Sequence, residues 1–145
     1  MSEPNIIGDG ADPPRLDRHS RRFLERSSFF CIGSTRPDGR GDVSPRGGEA
    51  GFVHAISDTE LAFPDRPGAD RLDALGNIVR EPGVGLVFFV PGVDAVLRLN
   101  GLARVTTRED LMVRFTHEGQ RPRSVVLVEI AEVHFLKQDV RNTHC

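Results

Sequence analysis

Residues 84–105 read VGLVFFVPGVDAVLRLNGLARV, and this stretch predicts two neighbouring β-strands. The segment from Val84 to Val90 is continuously apolar, which is typical of a strand buried on both faces or of one that lines a barrel. Residues 91–94 (Pro-Gly-Val-Asp) predict a turn. The segment from Ala95 to Val105 then alternates apolar with polar residues, as a half-buried strand does. The stretch therefore predicts antiparallel β structure.

Working outward, two more hairpins are predicted upstream and one long strand downstream. Each hairpin has apolar runs on either side of a turn, and the clearest turn is Pro37-Asp38-Gly39-Arg40, where proline presets one dihedral and glycine supplies a positive φ. The predicted strands are 28–34 with 41–44, 52–56 with 60–63, and 124–136. The strand at 41–44 is expected to end at Pro45, because proline lacks a ladder donor.

Three helices are predicted around these strands from apolar spacing and capping residues. They run from Arg15 to Arg26, from Arg71 to Arg80 after an N-cap at Asp70, and from a Thr107–Asp110 capping box through Phe115. The expected buried residues are Leu16, Phe23 and Leu24 in the first helix, and Leu72, Leu75 and Val79 in the second.

The order of elements is one helix, four strands, one helix, two strands, one helix and one strand. This order predicts a mainly β fold with peripheral helices, built as an antiparallel barrel. Residues 1–14 lack hydrophobic periodicity and are predicted to be a disordered tail. Residues 15–145 are predicted to form one domain, since the chain has 145 residues and no internal linker.

Composition excludes several classes of function. The formal net charge is −2, so no global field favours nucleic acid or an anionic membrane. No apolar stretch is long enough to span a bilayer, the N-terminus is unlike a signal peptide, and the chain contains only Cys31 and Cys145. We therefore expect a cytoplasmic protein with no nucleic-acid or membrane partner.

Sequence motifs exclude further chemistry. The five histidines show no metal-ligand spacing, and there is no Walker loop and no G-x-G-x-x-G. Ser44 lacks the context of a nucleophile elbow. Lys137 is the only lysine beside eighteen arginines, which reflects either a biased genome or arginines selected to hold phosphate or carboxylate.

Three segments contain residues that a β-barrel does not require for folding alone. The first is Asp42-Val43-Ser44-Pro45-Arg46-Gly47-Gly48, which is either an ordinary exit from a strand or a site where backbone amides approach an acceptor. The second runs from Pro64 to Leu72, where Arg71 in the first turn of a helix either binds an anion or pairs with a nearby carboxylate. The third is Leu97-Arg98-Leu99-Asn100-Gly101, in which the glycine marks a bulge or a close approach.

Taken in order, these segments resemble the superfamily of FMN-binding split barrels related to pyridoxamine 5'-phosphate oxidase, and in particular its small bacterial members. The similarity covers residues 16–133. The matching pieces are 41–48, 61–64 with 71–78, 82–86, and 97–103.

The resemblance implies a six-stranded antiparallel split β-barrel and a homodimer with FMN at the interface. It implies that the strand carrying Asp42, Val43, Ser44, Pro45, Arg46 and Gly47 runs beside the flavin ring. The corner of Pro64, Asp70, Arg71 and Leu72 would hold the ribityl phosphate. No residue is singled out as a catalytic acid or base, and the resemblance implies an oxidoreductase of an unidentified small molecule.

The chain departs from the family pattern at three places. Asp70 stands where relatives carry asparagine, so one phosphate contact is lost or replaced. Ala95 and Val96 stand where a polar residue often reaches the flavin. The chain stops at Cys145, before the basic, aromatic segment of its relatives. Two alternatives therefore stay open: a non-catalytic protein that stores or senses FMN or haem, and an F420-dependent reductase on the same barrel.

Overall fold

The computed structural model describes residues 14–66 and 74–137. Within them, three helices and seven strands follow the predicted order. The predicted disordered tail at 1–14 lies almost wholly outside the described residues. The elements are α1 (Arg18–Arg26), β1 (Phe29–Thr35), β2 (Gly41–Gly47), β3 (His54–Ala55), β4 (Glu60–Asp65), α2 (Ala74–Arg80), β5 (Gly83–Phe89), β6 (Ala95–Thr106), α3 (Glu109–Arg114) and β7 (Ser124–Lys137).

The strands form one antiparallel sheet in the order β2-β1-β5-β6-β7-β4-β3. The mainly β class with peripheral helices is confirmed. The sheet has seven strands rather than six, because His54 and Ala55 pair with Ala62 and Leu61 as a short edge strand. Among the described residues, β2 and β3 form the two edges.

The sheet curls around one core. Phe30 in β1 packs against Phe88 in the neighbouring β5, and equally against Phe63 in β4, four places further along the sheet; both ring centroids lie 4.9 Å away. The Phe52 ring completes the cluster at 5.7 Å. Because aromatic side chains from distant strands meet, both ends of the sheet face the same interior.

Burial along β5 decides between the two expectations for Val84–Val90. Val84, Leu86 and Phe88 are buried, while Gly85 and Val87 are half-buried and Phe89 is exposed. One face therefore meets the core and the other does not, as in a strand that lines a barrel.

Helix α1 begins at Arg18, three residues later than predicted. Asp17 is its N-cap, and the Asp17 carboxylate accepts a hydrogen bond of 2.8 Å from the backbone N–H of Ser20. The predicted buried side chains Leu16, Phe23 and Leu24 are all in the core. The periodicity located the buried face, while the cap set the first residue.

Strand β2 corrects one expectation. It does not end at Pro45 but continues to Gly47, and Pro45 lies opposite Cys31 of β1. Among the described strands β2 pairs only with β1, so it is an edge strand. A proline is tolerated in an edge strand because its missing N–H need not serve a second neighbour.

The structure of helix α2 corrects a second expectation. It is described from Ala74 onward, and its buried residues are Ala74, Asn77 and Ile78. Val79, expected in the apolar stripe, is 73% exposed. Leu75 is partly buried against the core, as expected, and Leu72 lies outside the described residues. The expectation for Val79 was wrong because a buried polar residue, Asn77, faces the sheet.

Helix α3 lacks the predicted capping box. Its N-cap is Arg108, and no side chain caps the helix there. Thr106 instead accepts from the backbone N–H of Arg108, and the Arg108 guanidinium forks onto Asp110. Asp110, the predicted acidic member of the capping box, is thus paired with Arg108 instead.

The expected irregularity at Gly101 is confirmed. The register between β6 and β7 shifts between Asn100 and Gly101. A Cβ at Gly101 would collide with the carbonyl oxygen of Glu129, so only glycine fits this bulge.

Candidate functional site

The β2 segment presents two different faces. Asp42, Ser44 and Arg46 alternate on the more buried face, and Ser44 is fully enclosed. Val43, Pro45 and Gly47 form the other face and are exposed, Val43 by 66%. Because β2 is an edge strand, one side of its backbone is also unpaired within the described sheet. The segment therefore offers polar side chains and free backbone groups side by side.

Arg46 is held along its own strand. Its Nη1 donates to the carbonyl oxygen of Pro45 at 3.2 Å and to Ser44 Oγ at 3.4 Å. Both of these acceptors are neutral, and both belong to the strand that carries Arg46. The side chain is half-buried at the end of β2.

The Asp42 carboxylate is tied to α2. Asn77 Nδ2 donates to Asp42 Oδ2 at 3.2 Å and to Ser34 Oγ at 3.0 Å. Asn77 Oδ1 in turn accepts from Arg80 at 2.9 Å. A single buried amide therefore connects α2 to both β1 and β2, and it engages Asp42 within the fold.

The structure describes only the beginning of the second predicted site segment. Pro64 lies in β4 opposite Val125, and the chain after that corner leads into α2. Asp70, Arg71 and Leu72 lie outside the described residues. The part of α2 that is described packs against β1, β2 and β6. The helix that follows the Pro64 corner is thus anchored beside β2.

A second polar cluster escaped the sequence reasoning. Arg114 Nε donates to His54 Nδ1 at 3.2 Å, and the His54 ring stacks on Phe115 with centroids 4.4 Å apart. Burial lowers the pKa of His54 below its usual value, and the nearby Arg114 charge lowers it further. The residues come from β3 and the end of α3, and no local spacing links them.

The comparisons with known proteins identify the family. The family model described as pyridoxamine 5'-phosphate oxidase matches residues 16–137. The chain belongs to that family. Pyridoxamine 5'-phosphate oxidase-like proteins generally bind flavins, either FMN or F420. None of the curated proteins matches the chain.

Solved structures share this family's fold at low sequence identity. HupZ from Group A Streptococcus is 10% identical with a TM-score of 0.69, over 85% of this chain and 95% of that one. General stress protein 26 from Bacillus anthracis str. Sterne is 14% identical with a TM-score of 0.58, over 79% and 88%. An F420 reductase is 21% identical with a TM-score of 0.53, over 81% and 96%. At these identities the likeness establishes the fold alone.

A membrane-spanning helix and a metal-binding cluster are both absent from residues 14–66 and 74–137. No helix there is long and apolar enough to cross a membrane. No group of three or more His, Cys, Asp or Glu side chains in the same residues is arranged to hold a metal ion.

Proposed function

We propose that this protein is an FMN-binding flavoprotein and an oxidoreductase of a small molecule, working as a homodimer with FMN at the interface. Membership of a flavin-binding family supports the flavin. The observation that carries the proposal is the anchoring of α2 beside β2 through Asn77, because α2 follows the segment expected to hold the phosphate and β2 is the strand expected to run beside the ring.

The residues of β2 fit the ring of a flavin. Backbone groups at the outer edge of β2 would contact the polar edge of the ring, and Arg46 would face its oxygens. The enclosed Ser44 hydroxyl would support Arg46 by accepting from its Nη1. Val43, Pro45 and Gly47 would contribute an apolar, sterically open surface. The Asp42 carboxylate would be directed at Asn77 on α2 rather than at the ring.

The Pro64 corner would hold the phosphate. Arg71 is the residue whose guanidinium can fork onto phosphate oxygens, with Asp70 and Leu72 beside it in sequence. Bound FMN would supply the redox chemistry, while the protein would orient it and exclude water. The Asn77 contacts would keep the corner at a fixed distance from β2.

The decisive experiment compares two cofactors and one variant. Arg71→Ala removes a charge-assisted contact worth on the order of 2 kcal/mol, so we expect FMN affinity to fall at least tenfold. Riboflavin lacks the phosphate, and its affinity should hardly change. Fluorescence titration measures both. Equal losses for the two ligands would contradict a phosphate contact and assign Arg71 to the fold.

An F420-dependent reductase is the second candidate, favoured by the structural likeness to an F420 reductase. The absorption spectrum of the protein as purified distinguishes the cofactors. Flavin bands support FMN, the blue-shifted spectrum of a deazaflavin supports F420, and a Soret band supports a haem-binding protein instead.

A further inference from the structure

The solvent-facing side of α1 carries three arginines in line. Arg18, Arg22 and Arg26 follow one another at four-residue intervals, and all three are exposed. An α-helix turns by about 100° and rises by about 1.5 Å per residue, so the three lie within about 80° of arc and about 6 Å apart along the axis. They form one basic surface, the arginine ridge.

The guanidinium groups of the arginine ridge are not paired within the described chain. Other arginines are: Arg21 on the same helix lies 2.6 Å from Asp58, and Arg121 lies 2.9 Å from Glu109. None of the ion pairs within residues 14–66 and 74–137 involves a member of the ridge. The ridge therefore presents three positive charges to solvent.

The arginine ridge opposes the stability of its own helix. Like charges four residues apart on a helix repel each other, and the ridge contains two such pairs. Arg18 is also the first residue of α1, beside the positive end of the helix dipole, and no acidic residue occupies the first turn. Only Arg26, in the last turn, is favourably placed. The arrangement therefore has no explanation within the helix.

The surroundings of the arginine ridge limit its partner. A groove of about 450 Å³ runs beside the ridge, and three carboxylates line it: Asp17, Glu25 and Asp58. An extended polyanion laid over α1 would meet these negative charges as well as the arginines. A short segment whose carboxylates stand only opposite the arginines would avoid them, so the flanking charges select against the polyanion.

The helix offers no apolar side chain to a membrane. Phe23 and Leu24 are its two large apolar residues, and they are buried in the core with 6% and 1% of their surfaces exposed. Helices that lie on bilayers combine a basic face with an exposed apolar one. The formal net charge of −2 also gives no broad positive field for nucleic acid. These features favour a protein partner.

We propose that the arginine ridge docks a short acidic segment of another protein, one whose carboxylates recur about every 6 Å. A helix with Glu or Asp at every fourth residue has this spacing. Each carboxylate pairs with one guanidinium, whose N–H groups match the two carboxylate oxygens. The pairing relieves the repulsion within the ridge, and it does not depend on flavin binding.

Two alanine-based peptides with three glutamates each separate spacing from charge. In the spaced peptide the glutamates stand at every fourth residue, and in the block peptide they are consecutive. We expect the spaced peptide to shift the backbone amide signals of α1 saturably in ¹⁵N NMR spectra of the full chain. It should bind about fivefold more tightly than the block peptide, because the latter cannot form all three exposed pairs. Added salt should weaken the binding.

Arg22→Glu reverses the central charge of the arginine ridge. It should weaken the spaced peptide about tenfold or more, while the Tm stays the same or rises, because two repelling pairs become attracting ones. Arg40→Glu is the matched control, an equal change at an exposed arginine in the turn before β2, and it should bind the peptide as the parent does. Circular dichroism measures the Tm of both variants.

Several outcomes would overturn the proposal. Equal binding of the two peptides, or unchanged binding by Arg22→Glu, would show that the ridge does not recognise spaced carboxylates. A lower Tm for Arg22→Glu with peptide binding intact would assign Arg22 to the fold.

Two further ligands test the class of partner in the same way. Tighter binding of phosphatidylserine-containing vesicles or of a short DNA duplex than of the spaced peptide, lost in Arg22→Glu, would replace the acidic protein by a membrane or a nucleic acid. FMN titration of the same samples reports separately on the proposed function.

Discussion

Single residues in β2 determine what a bound flavin would experience. Arg46 lies near the end of the edge strand, where its Nη1 donates to the Pro45 carbonyl oxygen and to Ser44 Oγ. An arginine in that position is either a cation directed at a ligand or a surface side chain that meets water or Glu49. The difference between these roles is electrostatic and can be measured as a potential.

Arg46→Gln should bind oxidised FMN about as tightly as the parent but shift its reduction potential to more negative values. An arginine near the pyrimidine end stabilises the negative charge of the reduced ring, and its loss removes that bias. For a two-electron couple, a shift of about 30 mV corresponds to about 1.4 kcal/mol. Spectroelectrochemistry measures the shift.

Arg40→Gln is the matched control, since Arg40 is an exposed arginine in the turn that leads into β2. Its potential should match the parent's. A potential for Arg46→Gln that equals both would place Arg46 away from the ring and would weaken the case for an enzyme over a flavin store.

At the scale of elements, packing depends on polar residues that periodicity cannot identify. The apolar spacing of α2 pointed to Val79, whereas the sheet receives Asn77, whose partners Ser34 and Asp42 are more than thirty residues away. A buried amide looks like any surface residue in a sequence until its partners are known. Local patterns therefore predict that a helix exists better than they predict which face it buries.

Asn77→Ala should lower the free energy of unfolding by about 1–3 kcal/mol, because Ser34 and Asp42 lose a buried donor and α2 loses its polar attachment. Urea unfolding followed by circular dichroism measures the loss. Val79→Ala on the same helix should change stability by less than about 0.5 kcal/mol, since that side chain is exposed. Equal effects of the two variants would mean that helix propensity, not the hydrogen bonds, dominates.

The contact between β3 and α3 should make stability depend on pH. His54 has a pKa below its ordinary value of 6.5 in the folded chain, because burial and the Arg114 charge both disfavour the imidazolium. The unfolded chain therefore binds the proton more readily, and the stabilising contribution is complete above pH 6.5. It is lost as the pH falls through the folded pKa.

NMR titration of the His54 ring should give a midpoint below 6.5, and Arg114→Gln should raise that midpoint. A His54 midpoint that is the same in Arg114→Gln as in the parent protein would show that burial alone lowers the pKa of His54.

At the scale of the whole molecule, local signals predicted the order of elements, and distant pairing determined the rest. Alternation and turn residues were enough to predict the strands from Ala95 to Val105 and from Ser124 to Leu136. The register that opposes Pro64 to Val125 joins segments sixty residues apart, and nothing in either segment specifies it. The contact between His54 and Arg114 likewise joins residues sixty positions apart, so the sequence could not predict it either.

The exposed side of the sheet should associate with a second copy. Phe29 and Phe89 are paired across β1 and β5 there, with 41% and 37% of their surfaces exposed. An apolar patch of this kind is typical of a self-association surface.

Sedimentation velocity at micromolar concentration should show a dimer, and Phe89→Asp should shift it to monomer while Glu81→Gln does not. A parent protein that sediments as a monomer with FMN still bound would remove the model in which the cofactor lies between subunits.

The position of β7 in the sheet affects how the chain can be made. It is the last strand of the described residues, yet it lies between β6 and β4 and pairs with both. A nascent chain that has emerged only as far as α3 has one group of strands, β2-β1-β5-β6, and a separate β3–β4 hairpin, with no strand to connect them. Each group then has an open edge on which another chain can add a strand. Long-range closure of this kind is slow, so the two groups of strands stay separate until β7 has emerged and has paired with both β6 and β4.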